Sequence, residues 1–364
     1  MARIVEVATA RLSRRLHTPF VTALRRTEFV VSVAVRVTDA DGRTGFGEGP
    51  QVWRVTGESL ESIEACVLGP LADALLGWDP ESEPLPYTHS ALAHAVVGNG
   101  GARAACETAV LDLLARGAGQ PLARFVGGDA LSVGTDVTIA ATGDFGDGVD
   151  ASGFGQVKVK VGLDPADVER VVRISRERPA VPVRIDANQA WDVETAARAI
   201  EGLLAEDVDL EFVEQPLPAW DLAGHAELRR RFAVPIVLDE SIFTIHDLHR
   251  ALDAGSGDIV NIKLAKCGGI GAGLEIAREA TAAGLAVMVG SMMESELGVS
   301  AAAALAAAIR PDHVHDLDAA WWSISQADGG TPYREGRIIL DDSPGQSHVQ
   351  GRVITDDLVW TLRP

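Results

Sequence analysis

A chain of 364 residues with 47% apolar side chains can bury a large core, and one big domain plus a smaller one is its natural division. Its formal charge of −20 argues against nucleic acid and anionic membranes as partners, though not against a divalent cation. No apolar run approaches the ~18 residues that cross a bilayer, and three scattered cysteines, Cys66, Cys106 and Cys267, suit a reducing cytoplasm better than a disulfide framework or a zinc site.

Met1 to Phe20 carries Arg11, Arg14 and Arg15 with no apolar core behind them, so no signal peptide is expected there. Ile4-Val5-Glu6-Val7 reads as a first strand, and Leu16 to Thr27 as a loop carrying Arg25 and Arg26. Val30 to Val37 alternates apolar and polar residues and turns at Asp41-Gly42 into Thr44 to Glu48, the pattern of an antiparallel hairpin. From Thr56 the period becomes helical, with Leu60, Ile63, Val67, Leu71 and Leu75 on one face, and Ala104 to Leu114 repeats it. Residues 1–130 are expected to form a small α+β unit closed by Gly127-Gly128-Asp129.

Beyond Val133 the pattern repeats. Short β-rich runs recur between helical stretches: Val137–Ala140, Val157–Val161, Val183–Ile185, Leu210–Val213, Ile236–Leu238, Ile259–Leu264, Ala286–Val289 and Val314–Leu317. Eight strands alternating with helices predict a (β/α) barrel over residues 131–322, with a doubly wound sheet as the alternative. Gly143 to Gly155 is too glycine-rich for more than a poor, short helix. The tail, residues 323–364, is expected to fold back onto the N-terminal unit.

The chemistry centres on Val157-Lys158-Val159-Lys160-Val161, whose alternation sends both ammonium groups to one face of a strand. Two like charges that close are expected to lower a lysine pKa toward the range of a base, unless the pair is simply a charged edge. Asp186, Glu214 and Asp239 each end a β-rich run, about one βα unit apart, so the three carboxylates converge at the C-terminal mouth of a barrel. Oxygen ligands in that number suit Mg²⁺, although any one of them alone could be a helix cap. Lys160 lies one unit earlier and Lys263 one unit later, facing each other across the mouth.

Lys158-Val159-Lys160, Asp186-Ala187-Asn188-Gln189, Val213-Glu214-Gln215-Pro216, Asp239-Glu240-Ser241, Asn261-Ile262-Lys263-Leu264-Ala265-Lys266-Cys267-Gly268-Gly269, and Gly45-Phe46-Gly47-Glu48 near the N-terminus together resemble the muconate-lactonizing subgroup of the enolase superfamily. The resemblance implies an α/β fold, a (β/α)7β TIM-like barrel under an N-terminal α+β capping domain completed by the C-terminal tail. It also implies Mg²⁺ held by Asp186, Glu214 and Asp239, acid/base lysines at Lys160 and Lys263, and supporting roles for Asn188, Glu240 and Lys266. A carbon acid beside a carboxylate is weak, and a cation at the developing charge together with a lysine base makes its ionisation feasible; this Lys–Mg²⁺ pairing is already a known pattern of enolase-superfamily sites. Two bases on opposite faces invert the carbon, and Lys158 would keep the nearby bases partly neutral.

His315-Asp316-Leu317-Asp318 resembles the Asp-x-Asp of dipeptide epimerases, in which the pair holds the substrate's α-ammonium; two aspartates two apart on a strand face the same way. The expected partner is a small dipeptide, L-Ala-D/L-Glu or a related one, turned over by a cytoplasmic homo-oligomer. Arg25 matches a loop position that pairs with a glutamate side chain in the Ala-Glu epimerases. Glu296, if it faces the pocket, would instead favour a cationic dipeptide. N-acylamino acid racemase, o-succinylbenzoate synthase and muconate-type cycloisomerase share the half-reaction without needing an ammonium site; a Schiff-base aldolase and a ligand-binding barrel are readings from other classes. Gly268 to Gly273 lacks dinucleotide-loop spacing and is read as a loop approaching the substrate. His246, His249 and Arg229-Arg230-Arg231 read as solvated helix faces.

Overall fold

The computed structural model describes residues 2–79, 85–141, 153–310, 314–324, 333–340 and 342–363. Three antiparallel strands open the chain: β1 (Ile4–Val21), β2 (Arg26–Asp39) and β3 (Thr44–Pro50). The β1–β2 pairing runs from Ile4↔Asp39 to Val21↔Arg26, so the expected loop over Leu16 to Thr27 is in fact a pair of strand arms ending in the turn Thr22–Arg25. A register shift between Arg15 and Phe20 accounts for the difference: it brings Leu16 and Phe20 onto Val30, Ala140 and Trp322 instead of leaving them to solvent. The turn into β3 lies where the sequence put it, with Asp39 Oδ1 accepting from the N–H groups of Asp41 (3.0 Å) and Arg43 (2.9 Å).

Helices α1 (Leu60–Cys66), α2 (Ala72–Leu75), α3 (Leu85–Ala95), α4 (Gly100–Gly117) and α5 (Leu122–Phe125) follow. Ile63, Val67, Leu71 and Leu75 are all buried, although a wider turn at Val67–Leu71, containing Pro70, separates α1 from α2. Helix α4 lies directly on β3. The close approach depends on Gly45, Gly47 and Gly49, since a Cβ on Gly47 would stand 2.1 Å from the Ala105 carbonyl oxygen.

The second half alternates as predicted: β4 (Ser132–Thr135), β5 (Val137–Ile139), β6 (Val157–Lys160), α6 (Asp167–Glu177), β7 (Val183–Asp186), α7 (Val193–Ala205), β8 (Leu210–Glu214), α8 (Leu222–Arg231) and β9 (Ile236–Leu238). Then come α9 (Ile245–Ala254), β10 (Ile259–Lys263), α10 (Leu264–Cys267), α11 (Ile270–Ala282), β11 (Ala286–Gly290), α12 (Glu296–Ile309) and β12 (Val314–His315). Strands β5 to β11 form one parallel sheet in sequence order, with no reversal of the kind a doubly wound sheet has. The sheet curls toward closure because β12 meets β11 at the Gly290–Asp316 bridge and pairs with β4, which leads into β5. Residues such as Val159, Ile185, Val213, Leu238, Ile262 and Val289 face the helices, while Phe212, Val237 and Met288 fill the interior with Arg184 4.9 Å over the Phe212 ring. The crossover expected to be a poor helix falls, as far as residue 152, outside the described residues.

After β12 the tail does not return at once to the N-terminal strands. The hairpin β13 (Tyr333–Arg334) and β14 (Arg337–Ile339) adds to β4, beside the barrel, because its Arg337 to Ile339 edge pairs with Ser132 to Gly134. Helix α13 (Ser347–Val353) then packs Val349 and Val353 on Leu12, Phe46 and Leu297, and β15 (Thr361–Leu362) pairs with β1. Cap and barrel are joined by a buried carboxylate: Glu48 accepts from Ser32 Oγ (2.6 Å), Ser295 N (2.9 Å) and Gly298 N (2.9 Å), capping α12 from β3. The Gly268–Gly269 turn serves the same junction rather than the substrate. Both glycines have positive φ, and Cβ atoms there would strike the Arg103 guanidinium and the Glu107 carboxylate of α4. Among the described residues no helix is long and apolar enough to cross a membrane.

Because both surfaces at Gly47 are backbone, Gly47→Ala forces β3 away from α4 and should cost about 3 kcal/mol of stability, read as a lowered urea midpoint with the unfolding slope retained; an unchanged midpoint would show that this contact can yield.

Candidate active site

A cavity opens where the C-terminal strand ends meet two loops of the cap. Lys158, Lys160, Asp239, Lys263, Asp316 and Asp318 line it from the barrel; Arg25 and Arg54 line it from the β1–β2 turn and the β3–α1 loop. Asp186 and Glu214 end β7 and β8 and are fully buried behind this lining, where the lysines reach them. The backbone turns sharply after each: Asn188, Gln189 and Gln215 hold positive φ, a conformation that costs a non-glycine residue about 1–3 kcal/mol and persists where its surroundings enforce it. The turn lets Asn188 donate from its backbone to Asp186 Oδ1 (2.9 Å) and from its amide to Glu240 Oε1 (3.2 Å). Gln215 Oε1 accepts from the N–H groups of Asp239 (2.9 Å) and Ser241 (3.1 Å), fixing the next strand end. Gln215 lies within the Val213-Glu214-Gln215-Pro216 motif, but its stapling contact is invisible in spacing.

The two lysines of β6 share one face, as their alternation predicted. Lys158 Nζ stands 2.5 Å from Asp316 Oδ2, 3.2 Å from Glu214 Oε2 and 3.6 Å from Asp186 Oδ2, and Lys160 pairs with Asp186. Lys263 Nζ lies 2.7 Å from Asp239 Oδ2, while Lys266 Nζ contacts Asp239 Oδ1 at 2.6 Å and the Asn261 carbonyl at 3.0 Å. The expectation of a lysine pKa lowered by its like-charged neighbour is reversed at Lys158 and Lys263. Burial does pull both down, but Asp316, Glu214 and Asp186 around Lys158, and Asp239 and Asp316 around Lys263, outweigh it and hold both above the usual lysine range.

Six buried carboxylates, those of Asp186, Glu214, Asp239, Glu240, Asp316 and Asp318, face four buried ammonium groups, those of Lys158, Lys160, Lys263 and Lys266. Burial, then the charges of Asp186 and Asp239, push the Glu214 carboxyl up against the pull of Lys158, and Glu240 Oε2 is buried without a hydrogen bond. This excess of buried anionic oxygen on neighbouring strands fits a hard divalent cation. Each of the three proposed ligands is turned toward a lysine, and among the described residues the carboxylate oxygens that converge within 4.8 Å are those of Asp136, Asp316 and Asp318. That second group is balanced by Arg184, 2.9 Å from Asp136, and by Lys158.

Asp316 and Asp318 both line the cavity, but not as neighbours on one strand. β12 ends at His315, and Asp318 begins the 3₁₀ turn Ala319–Trp322, with its Oδ2 accepting from Thr138 N (2.6 Å) and Trp322 Nε1 (3.0 Å). Glu296, the first residue of α12, is buried near Glu48, Arg14 and Arg352 and is not among the lining residues. Its neighbour Glu294 comes nearer the chemistry: it accepts from Met292 N (2.9 Å) and feels both Glu48 and Lys263. His249 pairs with Glu279 at 2.6 Å on the outer helices, away from the cavity.

Residues 4–127 match the mandelate racemase / muconate lactonizing enzyme N-terminal domain, and residues 144–349 match the enolase C-terminal domain-like family. The chain belongs to the mandelate racemase / muconate lactonizing enzyme family of the enolase superfamily. It is similar to the L-Ala-D/L-Glu epimerase of Bacillus subtilis strain 168, 36% identical over 352 residues, which span 94% of this chain and 96% of that one. A substrate-liganded structure of the Bacillus subtilis epimerase superposes with a TM-score of 0.88 at 35% identity, covering 94% of this chain and 98% of that one. The dipeptide epimerase of Enterococcus faecalis V583, complexed with Mg and L-Leu-L-Tyr, gives a TM-score of 0.87 at 31% identity over 94% and 99% of the two chains. That of Methylococcus capsulatus, complexed with Mg and L-Arg-D-Lys, gives 0.84 at 30% over 94% and 99%.

Burial and the Glu48 charge push the Glu294 carboxyl up to about 8, whereas in an unfolded chain it ionises near ~4.3. The native state therefore binds more protons between those values, and its stability falls as pH rises from about 5 to 8. Urea midpoints of the wild type should drop over that window relative to Glu294→Gln, which cannot ionise; parallel profiles would mean that Glu294 is ionised in the fold.

Proposed function

We propose that this isomerase is a dipeptide epimerase that inverts the α-carbon of the C-terminal residue by passing a proton between Lys160 and Lys263. The observation that carries the reading is that these two lysines, from β6 and β10, line one cavity together with Asp239, Asp316 and Asp318. Residues 1–130, joined by α13 and β15 of the tail, act in this reading as a cap over the barrel of residues 131–322, while the hairpin of β13 and β14 stays beside β4.

Asp186, Glu214 and Asp239 would hold Mg²⁺, which supplies positive charge where the substrate carboxylate becomes more negative as its α-proton leaves. Lys160 and Lys263 flank the α-carbon: one takes the proton from one face, the other returns a proton to the opposite face, and the centre is inverted. Lys266 holds Asp239 in position, and Asn188 does the same for Asp186 and Glu240. Asp316 and Asp318 receive the α-ammonium group, with Lys158 orienting Asp316. An N-acylated or muconate-type substrate leaves that ammonium site without a use.

The substrate is L-Ala-D/L-Glu or a related dipeptide with an acidic C-terminal side chain. Arg25 supports this: it is half-buried at the cavity, burial alone lowers its pKa, and among the described residues no acid pairs with its guanidinium. The opposing argument, that Glu296 favours a cationic dipeptide, loses its footing because Glu296 does not line the cavity.

In D₂O, Lys160→Ala and Lys263→Ala should each lose epimerisation by ~10²-fold or more. Each should still exchange the α-proton of one epimer, and the two variants should choose opposite epimers; exchange of the same epimer by both would put the bases on one face. Activity that persists in excess EDTA would remove the cation from the mechanism, and irreversible inactivation by borohydride with substrate would move the protein to imine chemistry.

A further inference from the structure

Two arginines reach the cavity from the cap, and only Arg25 has been given a use. Arg54, in the loop between β3 and α1, also lines it, is exposed, and among the described residues has no ion pair or hydrogen bond through its guanidinium. The other cap residues at the cavity are Phe20, Thr22, Leu24 and Val55, so the cap offers two cations there and no anion to balance them.

The two loops are fixed over different parts of the barrel. The β1–β2 turn stands above β5 and β6: Ala141 N–H donates to the Val21 carbonyl at 2.8 Å, and a Cβ on Gly162, just past β6, would lie 3.6 Å from that of Ala23. The β3–α1 loop stands above β10 and β11, where Val52 and Val55 pack on Ala265 and Met292, just past those strand ends. Asp316 meets β11 through the Gly290 bridge. The ammonium pair spans both sides, with Asp316 bridged to β11 and Asp318 accepting from Thr138 N of β5 at 2.6 Å, so an N-terminal residue directed to the Asp316 side lies under Arg54 while the C-terminal side chain points to Arg25 above β5 and β6.

We propose that Arg54 is a specificity-determining residue that pairs with an acidic side chain on the N-terminal residue, so that the preferred substrates are dipeptides acidic at both positions. This assignment rests on the dipeptide epimerase reading above. One anionic side chain would neutralise each unpaired guanidinium by a charge-assisted hydrogen bond, and a neutral N-terminal side chain would leave Arg54 in water.

The test compares kcat/KM for L-Glu-L-Glu with that for its neutral isostere L-Gln-L-Glu. The wild type should prefer L-Glu-L-Glu by about tenfold, chiefly through KM, and the preference should shrink as salt rises. Arg54→Ala should abolish the preference and Arg54→Lys should restore part of it, while Arg25→Ala should lower kcat/KM for both dipeptides. If the wild type does not discriminate, or if Arg54→Ala preserves the discrimination, the Arg54 assignment falls while the epimerase reading stands. If the wild type turns over neither dipeptide nor L-Ala-L-Glu, both fall together.

Discussion

The rest of the structure depends on how lysines and carboxylates are kept together, nearly dry, at one end of the barrel. A buried ion pair is tolerated only when its geometry is good and its remaining lone pairs and protons are satisfied. Lys158 is the hub: one ammonium group reaches carboxylates from β7, β8 and the segment after β12. That convergence follows from the two-residue period of a strand, which aims every second side chain inward, and from parallel strands that all end at the same mouth. The carboxylates still outnumber the ammonium groups, and on the proposed reading that surplus is what a divalent cation would balance.

The cap must then lie close enough to close the mouth without disturbing those charges. Two features secure it. The glycines of β3 let α4 rest backbone to backbone on the sheet, and Glu48 reaches from that same strand into the first turn of a barrel helix. The Gly268–Gly269 turn adds a third contact, because any side chain there would push α4 off β10 and its following turn. With the root of the cap held this firmly, its β1–β2 arms can extend over the barrel and still place a short turn at the cavity.

Much of this was legible in the residues. The eight β-rich runs, the inward face of Lys158 and Lys160, and the strand-end positions of Asp186 and Glu214 follow from period and spacing, which are local properties. What was missed depends on partners distant in sequence. The arms around Phe20 read as a loop because their pairing needs a register shift, and their burial needs Trp322. The glycines after Lys266 read as a substrate loop because nothing near them in sequence announces Arg103 and Glu107. The direction of the Lys158 pKa was misjudged because its like-charged neighbour is visible in the motif, whereas Asp316 is 158 positions away. Glu294 and Glu296 lie in an irregular connection, where no period tells one face from the other. Arg54 belongs to no motif at all.

The layout also separates two kinds of information along the chain. Both arginines that line the cavity precede α1, whereas the four buried lysines and the carboxylates they meet all come from β6 onward. On the reading proposed above, the choice among dipeptide side chains is written in two turns of the cap, whereas the ammonium site and the proton chemistry belong to the barrel. On that reading the two could be inherited separately: changes in a handful of cap codons would alter which side chains fit while the barrel kept the same reaction.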